Sequence, residues 1–473
     1  MGIGTNMKKV VVIGGGISGL SSAFLIDEEA RKRGLEVDIT ILERANRPGG
    51  KVWSRDIDGY LCEWGPNGFL TNKPQTLDLC EKIGLTEQLH KSNDNARKRF
   101  VYSNGKLHKL PHTQLEFLSN SLLTLKGKLR LLAEIFVAKR QDSEDESLAS
   151  FARRRLGQEA LQKLIAPMAG GIFAGDPETM SLQACFPRIS ELEKEYGSLI
   201  KAMLKLASRR KEERKNGKVT ASAAGPGGVL TSFEKGLEVL INRLIEKIGE
   251  NKIKLNAKIS SIKKGANYNY EVISDTEIYE ADVVICATPA YAAKELIIEL
   301  SPHLYKLLGT IKYSPLIVAC FGYSEEQINF DLNGFGYLLA KGEEIPVLGT
   351  LWDSSIFLHR APDGKILLRT MLGGATRPEL INLTDSEIED IVKKSLSVIM
   401  GINARPEMVQ IFRHQTAIPQ YQLGHMDIVK EIEEIELGLP GLLFTGNAYR
   451  GIGINDCVAS SYLVAEKAIK FLC

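Results

Sequence analysis

The sequence has almost no net charge. Its 60 Lys and Arg residues meet 58 Asp and Glu residues, a formal balance of +2. Such a balance gives no footprint for nucleic acid. No stretch approaches the ~20 uninterrupted apolar residues of a membrane span. No secretory signal is read either. The chain runs straight into strand-like sequence after a short polar start, in which Met7 competes with Met1 as the natural first residue. Cysteines are few: Cys62, Cys80, Cys185, Cys286, Cys320, Cys457 and Cys473. They form no CxxC pair. Buried free thiols in a reducing cytosol are expected, and no metal site. The 7 histidines are scattered, and none sits in a motif for a catalytic base. What remains is an ordinary globular composition, 44% hydrophobic and 25% charged, in a 473-residue chain. That length allows roughly two or three domains around a large core.

The strongest local signal opens the chain. Val10-Val11-Val12-Ile13 suits a buried strand and runs into Gly14-Gly15-Gly16-Ile17-Ser18-Gly19. Helix-compatible sequence follows to Arg33. Strand, glycine turn and helix in this order form the dinucleotide fingerprint. The first glycine allows the turn, the second lets a pyrophosphate approach the backbone, and Gly19 lets the helix pack on the strand. Helix amides and the helix dipole then hold the phosphates. A second strand, Val37–Leu42, ends at Glu43, where a ribose-binding acid is expected.

Further small-residue loops follow: Arg47-Pro48-Gly49-Gly50-Lys51 and Glu63-Trp64-Gly65-Pro66-Asn67-Gly68. Each is either a plain loop or a place where backbone meets a flat or anionic ligand. A last glycine loop, Gly446 to Gly453, lies between a short strand at Leu442–Phe444 and a helix expected from about Asn455 to Phe471.

Together these segments resemble the monoamine oxidase-like flavoproteins. Arg99-Phe100-Val101-Tyr102, Gly170 to Asp176, Cys185-Phe186-Pro187, Met371-Leu372-Gly373-Gly374 and Gly446 to Cys457 are similar to the porphyrinogen oxidases among them. The resemblance runs from about Lys8 to the C-terminus. It implies an α/β fold: a Rossmann-type FAD-binding domain, a mixed-sheet substrate domain and a helical membrane-associating insert. The implied division is 7–95, 223–303 and 425–473 for the FAD domain, 96–222 for the insert and 304–424 for the substrate domain. Non-covalent FAD is the implied cofactor, held by Gly14, Gly15, Gly16, Ile17, Ser18, Gly19, Glu43, Arg44, Gly50, Lys51, Gly65, Pro66, Asn67, Gly68, Ile259, Gly446, Ile452, Gly453 and Ile454. Ile259 would meet the adenine through its backbone. The start of the last helix would face the flavin and favour negative charge there.

The implied reaction oxidises protoporphyrinogen IX to protoporphyrin IX in haem synthesis, in successive two-electron steps, with O2 giving H2O2. Coproporphyrinogen III is the alternative substrate. Arg99 is the carboxylate anchor by this reading, because guanidinium pairs bidentately with carboxylate. Its other reading is a solvent-facing member of the run Arg97-Lys98-Arg99. Gly171, Phe173, Leu338 and Met371 are the wall candidates. No side chain is assigned as catalytic base. Ferrochelatase, the next haem-pathway enzyme, and a membrane surface are the implied partners. A cytoplasmic protein, peripheral on the cytoplasmic membrane, is expected.

Leu115, Leu118, Leu122, Leu123, Leu125, Leu129, Leu132, Ile135 and Phe136 recur at roughly helical spacing among Lys126, Lys128 and Arg130. Such a face rests either on a lipid interface or on the protein's own core. Ser147 is expected to cap a helix holding Leu148, Phe151 and Leu156. The run from Arg209 to Lys218 reads as a solvated helix end. Amine oxidases and carotenoid desaturases are more distant readings on the same fold. A flavin-free escort protein is the alternative from a different class, and the intact glycine loops count against it.

Overall fold

The computed structural model describes residues 7–142, 144–215, 228–266 and 268–473. The expected boundary near residue 222 and the end of the Arg209–Lys218 run lie outside the described residues. Strand Lys8–Ile13 stands at the centre of a parallel sheet. Val10 to Ile13 are almost wholly buried, as an all-apolar run in a doubly covered sheet must be. The strand order is Ile253–Lys254, Val37–Leu42, Lys8–Ile13, Val283–Cys286 and Leu442–Phe444. Helix Ile17–Lys32 and the last helix, Ile454–Leu472, share one core with this sheet. Ser461 Oγ donates to the Ser18 carbonyl at 3.0 Å and joins the two helices.

The strand expected over Lys254–Ile262 is split. Asn256 takes a left-handed conformation, φ +56°, and turns the chain. Ile259–Lys264 then pairs with Tyr270–Ser274 and Ile278–Ala281 in a separate antiparallel sheet.

A second, seven-stranded sheet lies over the first domain. Its order is Met408–Gln420, Lys312–Ser324, Lys365–Gly373, Gly349–Leu351, Gly336–Leu339, Arg99–Ser103 and Lys106–Lys109. Only the Gly336–Leu339 and Arg99–Ser103 neighbours are parallel. Helix Asp385–Met400 packs on one face. It starts at a capping box, with Thr384 Oγ1 accepting from the Glu387 N–H and Glu387 Oε2 from the Thr384 N–H.

The last two strands correct the expectation that residues 96 onward are helical. Arg99–Ser103 and Lys106–Lys109 form a hairpin that extends the sheet. Asn104 and Gly105 both have positive φ, +52° and +74°. They make the two-residue turn that matches strand twist. Helices begin at Gln114–Ser119 and continue through Leu125–Leu132, Leu148–Arg155, Ala166–Phe173 and Pro187–Tyr196 to Leu199–Lys215. Ser147 does cap its helix, accepting the Ser150 N–H at 3.1 Å, and Leu148 and Phe151 are buried. The leucine-rich series divides: Leu122 and Leu123 are buried and Ile135 is half-buried, but most of it is not in the core. Leu115, Leu118, Leu125, Leu129, Leu132 and Phe136 are all exposed, Phe136 by 88%. Among the described residues no helix is long and apolar enough to cross a membrane.

Candidate functional site

The fingerprint turn is shaped by close approach. A Cβ on Gly19 would lie 1.9 Å from the Gly14 carbonyl oxygen, so only glycine lets the helix start this near the strand. Gly16 differs: the nearest atom to its would-be Cβ is Gly50 Cα, at 3.9 Å. That space is open for a ligand. No side chain caps helix Ile17–Lys32, and its first turn holds no acid. A bare helix N-terminus beside an open glycine backbone fits a pyrophosphate.

Glu43 stands at the end of the second strand. Its Oε2 accepts the Gly15 N–H at 2.7 Å and its Oε1 the Ala45 N–H at 2.8 Å. The carboxylate is thus fixed beside the turn, with lone pairs left for a ribose. Arg44 is exposed next to it. The Ala257 N–H donates to the Glu43 carbonyl at 2.9 Å, which brings the Ile259 strand to the same end of the sheet. The Gly49 N–H donates to the Gly15 carbonyl at 2.8 Å and docks the Gly49-Gly50 loop on the turn. Arg47 clamps that loop from outside. It donates to the carbonyls of Pro48 and Gly50 and lies over the rings of Trp53 and Trp64, at 4.2 and 4.8 Å.

Lys51 reaches from the loop to the second sheet. Its Nζ donates to the Thr416 carbonyl at 3.0 Å and to the Ala417 carbonyl, and burial pulls its pKa down to about 8. At the far end, Gly453 precedes the last helix, and its N–H donates to Asp456 Oδ2 at 3.0 Å. Asp456 is itself paired with Lys73. Asn455 donates to the Leu70 carbonyl and accepts from Thr76, so the helix start is fastened just past the Gly65–Gly68 loop. Gly446 has open space, its would-be Cβ meeting only Ser18 Oγ at 3.9 Å. Ile452 is half-buried and Ile454 buried beside it.

The wall candidates converge through strand register. Gly349 pairs with Leu338 on one side and Met371 on the other. The two side chains therefore rise on one face of the sheet across a residue that has none. Arg99 pairs with Gly336, two residues from Leu338, and so shares that face. Gly171 approaches from the insert; a Cβ there would lie 2.7 Å from Leu338 Cδ2. The insert and sheet also meet where the Ala375 N–H donates to the Ala174 carbonyl at 2.7 Å. Phe173 is not brought to this face. It is buried behind it, against Met180, Phe186 and Tyr421.

Arg99 lies with its guanidinium 5.0 Å from the Phe335 ring centre. Solvent reaches it, yet desolvation by surrounding protein lowers its pKa. Among the described residues no carboxylate is paired with it, whereas most arginines here are paired. An anionic ligand group would find it free.

Sequence reasoning missed four buried charges under the Gly65–Gly68 loop. Arg360 Nη1 stands 2.8 Å from Glu63 Oε1, and Arg369 Nε 2.9 Å from Asp353 Oδ2. Arg369 Nη1 also donates to the Gly65 carbonyl at 2.9 Å. Desolvation raises the pKa of both Glu63 and Asp353, against the pull of the two arginines. A signal existed: Arg369 is the one charged residue in the apolar strand Ile366-Leu367-Leu368-Arg369-Thr370-Met371.

The parallel sheet with its glycine turn, beside a second and mixed sheet, defines a dinucleotide-binding oxidoreductase. The family described as flavin containing amine oxidoreductase matches residues 17–469, and the chain belongs to it. The cofactor is FAD, and the open Gly16 backbone, uncapped helix and Glu43 fit it. Coproporphyrinogen III oxidase of Bacillus subtilis (strain 168) is 31% identical over 475 residues, covering 98% of each chain. Protoporphyrinogen oxidase 1 of Spinacia oleracea chloroplasts is 31% identical over 477 residues, covering 98% of this chain and 84% of its own. A solved structure from Exiguobacterium sp. 255-15, assigned as a protoporphyrinogen oxidase, is 28% identical with a TM-score of 0.83, covering 98% of this chain and 99% of that one.

Proposed function

We propose that this protein oxidises protoporphyrinogen IX to protoporphyrin IX in haem synthesis, with O2 as final acceptor and H2O2 as by-product. The observation that carries the reading is the sheet face around Gly349. Leu338 and Met371 flank it and Arg99 stands unpaired on the same face. A large, nearly flat macrocycle with carboxylate arms needs an apolar face and a free cation. Bound FAD supplies the two-electron acceptor. Arg99 holds a propionate, Leu338 and Met371 offer the ring an apolar face, and Gly171 leaves room for the Leu338 side chain. Positioning carries the rate, and no side-chain base is assigned. Relatives at 31% identity are named for either porphyrinogen, so coproporphyrinogen III is the second reading.

The cofactor contacts follow the residues expected from the sequence, with Glu43 on the ribose and the last helix start toward the flavin. The insert proper starts after Lys109, since the strands before it belong to the sheet. Its exposed Leu115, Leu118, Leu125, Leu129 and Phe136 rest on the cytoplasmic face of a membrane, where an apolar macrocycle is stored and passed on to ferrochelatase.

Fluorescence-detected porphyrin formation by the purified protein, with the two porphyrinogens in parallel, tests the reading. Preference for protoporphyrinogen is expected. Preference for coproporphyrinogen moves the enzyme to the second reading, and activity on neither overturns both. Arg99→Ala should raise KM for either porphyrinogen, and an unchanged KM removes it from the site.

A further inference from the structure

The Asn67 carboxamide is nine-tenths buried, and its oxygen has no hydrogen-bond donor among the described residues. Its nitrogen donates to Asp353 Oδ1 at 3.2 Å. Asp353 is fully buried and ion-paired to Arg369. A carboxylate only accepts, so Asp353 draws the amide nitrogen toward itself and turns the oxygen away. The backbone is held from the same side. Arg360 Nη2 reaches the Asn67 carbonyl at 3.4 Å and Arg369 Nη1 the Gly65 carbonyl at 2.9 Å. A buried acceptor without a donor is costly, and a folded protein keeps one where a ligand supplies the donor.

We propose that Asp353 is a positioning residue, orienting Asn67 so that its Oδ1 accepts a ring N–H from a bound heterocycle. Two heterocycles carry such a donor. Oxidised isoalloxazine has one ring N–H, at N3, and a porphyrinogen has one on each pyrrole. The first source rests only on the flavin of the family. The second rests on the porphyrinogen reading above. Arg369 ties this device to the sheet face around Gly349, since Met371 is two residues along the same strand and on the same face.

Two measurements on the holoenzyme separate the sources: FAD release on dilution, followed by flavin fluorescence, and KM for protoporphyrinogen IX at saturating FAD. Asn67→Leu keeps the shape and removes the acceptor. Asp353→Asn frees the amide to turn over. If the flavin N–H is the donor, both variants weaken FAD binding by about tenfold and leave KM alone. If a pyrrole N–H is the donor, KM rises by about tenfold and FAD binding stays. Either split supports the proposal. Wild-type values for both, with only a lower Tm, overturn it. Should Asp353→Asn fail to fold, Asn67→Leu decides alone. A wild-type protein that binds FAD but oxidises neither porphyrinogen sinks the function reading. The FAD measurement still decides here, and unchanged FAD binding then overturns the proposal.

Discussion

Arg155 and Arg369 are both arginines buried against carboxylates, one in the helical insert and one beneath the cofactor loop. Arg155 meets Glu134 at 2.6 Å and Glu193 at 2.8 Å. Glu134 also accepts from Ser198 Oγ and from the Leu199 and Ile200 N–H groups, at the start of helix Leu199–Lys215. Every strong acceptor there is used to hold helices together. The Arg369 cluster leaves more over. Arg369 Nη1 and Arg360 Nη2 reach loop carbonyls, but the donor Arg360 Nε and the acceptor Asn67 Oδ1 have no hydrogen-bond partner among the described residues. A fully satisfied buried network fixes architecture, and an incompletely satisfied one marks a site.

The carboxyl groups separate the same way. Burial pushes Glu134 and Glu193 up, but their hydrogen bonds and arginine partners outweigh it and leave both below the usual range. At Glu63 and Asp353 burial wins, and both lie above it.

Removing one partner of each network gives the largest contrast. Arg155→Met strands Glu134 in the interior and should cost about 3–5 kcal/mol, read by urea or thermal unfolding. FAD retention and KM of the folded fraction should match wild type. Arg369→Met should cost about 3 kcal/mol, and here the folded fraction should also lose FAD faster on dilution. Equal FAD retention and equal KM in both variants would erase the difference between the two networks.

Acid should pull the networks in opposite directions. A carboxyl with a depressed folded pKa contributes stability above its unfolded value, about 4.3 for Glu, and loses it as pH falls through the folded value. Glu134 and Glu193 behave so. Glu63 and Asp353 have raised folded values. Their ionised forms cost stability at neutral pH, and that cost lifts as pH falls through the folded value. Acid unfolding should therefore begin in the insert. Glu134→Gln should lower Tm at pH 7 and flatten its fall as pH drops below about 4.3, where Asp353→Asn should not flatten it.

The two regions were also unequally legible in the sequence. Gly14 to Gly19 could be read because the turn's demands are local: Gly19 must clear an atom five residues away. The hairpin at Arg99–Lys109 carries a local signal too, Asn104-Gly105, but the leucine-rich sequence that follows it outweighs two turn residues. The Arg369 cluster carries no local pattern. Arg369 finds the Gly65 carbonyl across 304 residues of chain, so a lone charge in an apolar strand was the only trace. The convergence of Arg99, Leu338 and Met371 needed strand register, which the resemblance named without explaining. In the insert the leucine spacing identified helices but not which way they face. Spacing sets a stripe on a helix, and only the neighbours decide whether it is covered.

The smallest effect on stability tests what the insert network is for. Glu134 and Phe136 share one short turn, Ala133–Phe136. Glu134 is fully buried and Phe136 is 88% exposed. The network therefore pins from below the turn that displays Phe136 above. Phe136 packs on little, so Phe136→Ser should change unfolding free energy by no more than about 0.5 kcal/mol. Its binding to vesicles containing anionic lipid should fall clearly, because an aromatic ring no longer enters the interface. Leu125→Ser should act alike, being 74% exposed on the neighbouring helix. If both variants bind vesicles as wild type does, the exposed face serves some other contact, and the insert network holds up a surface whose partner is not a membrane.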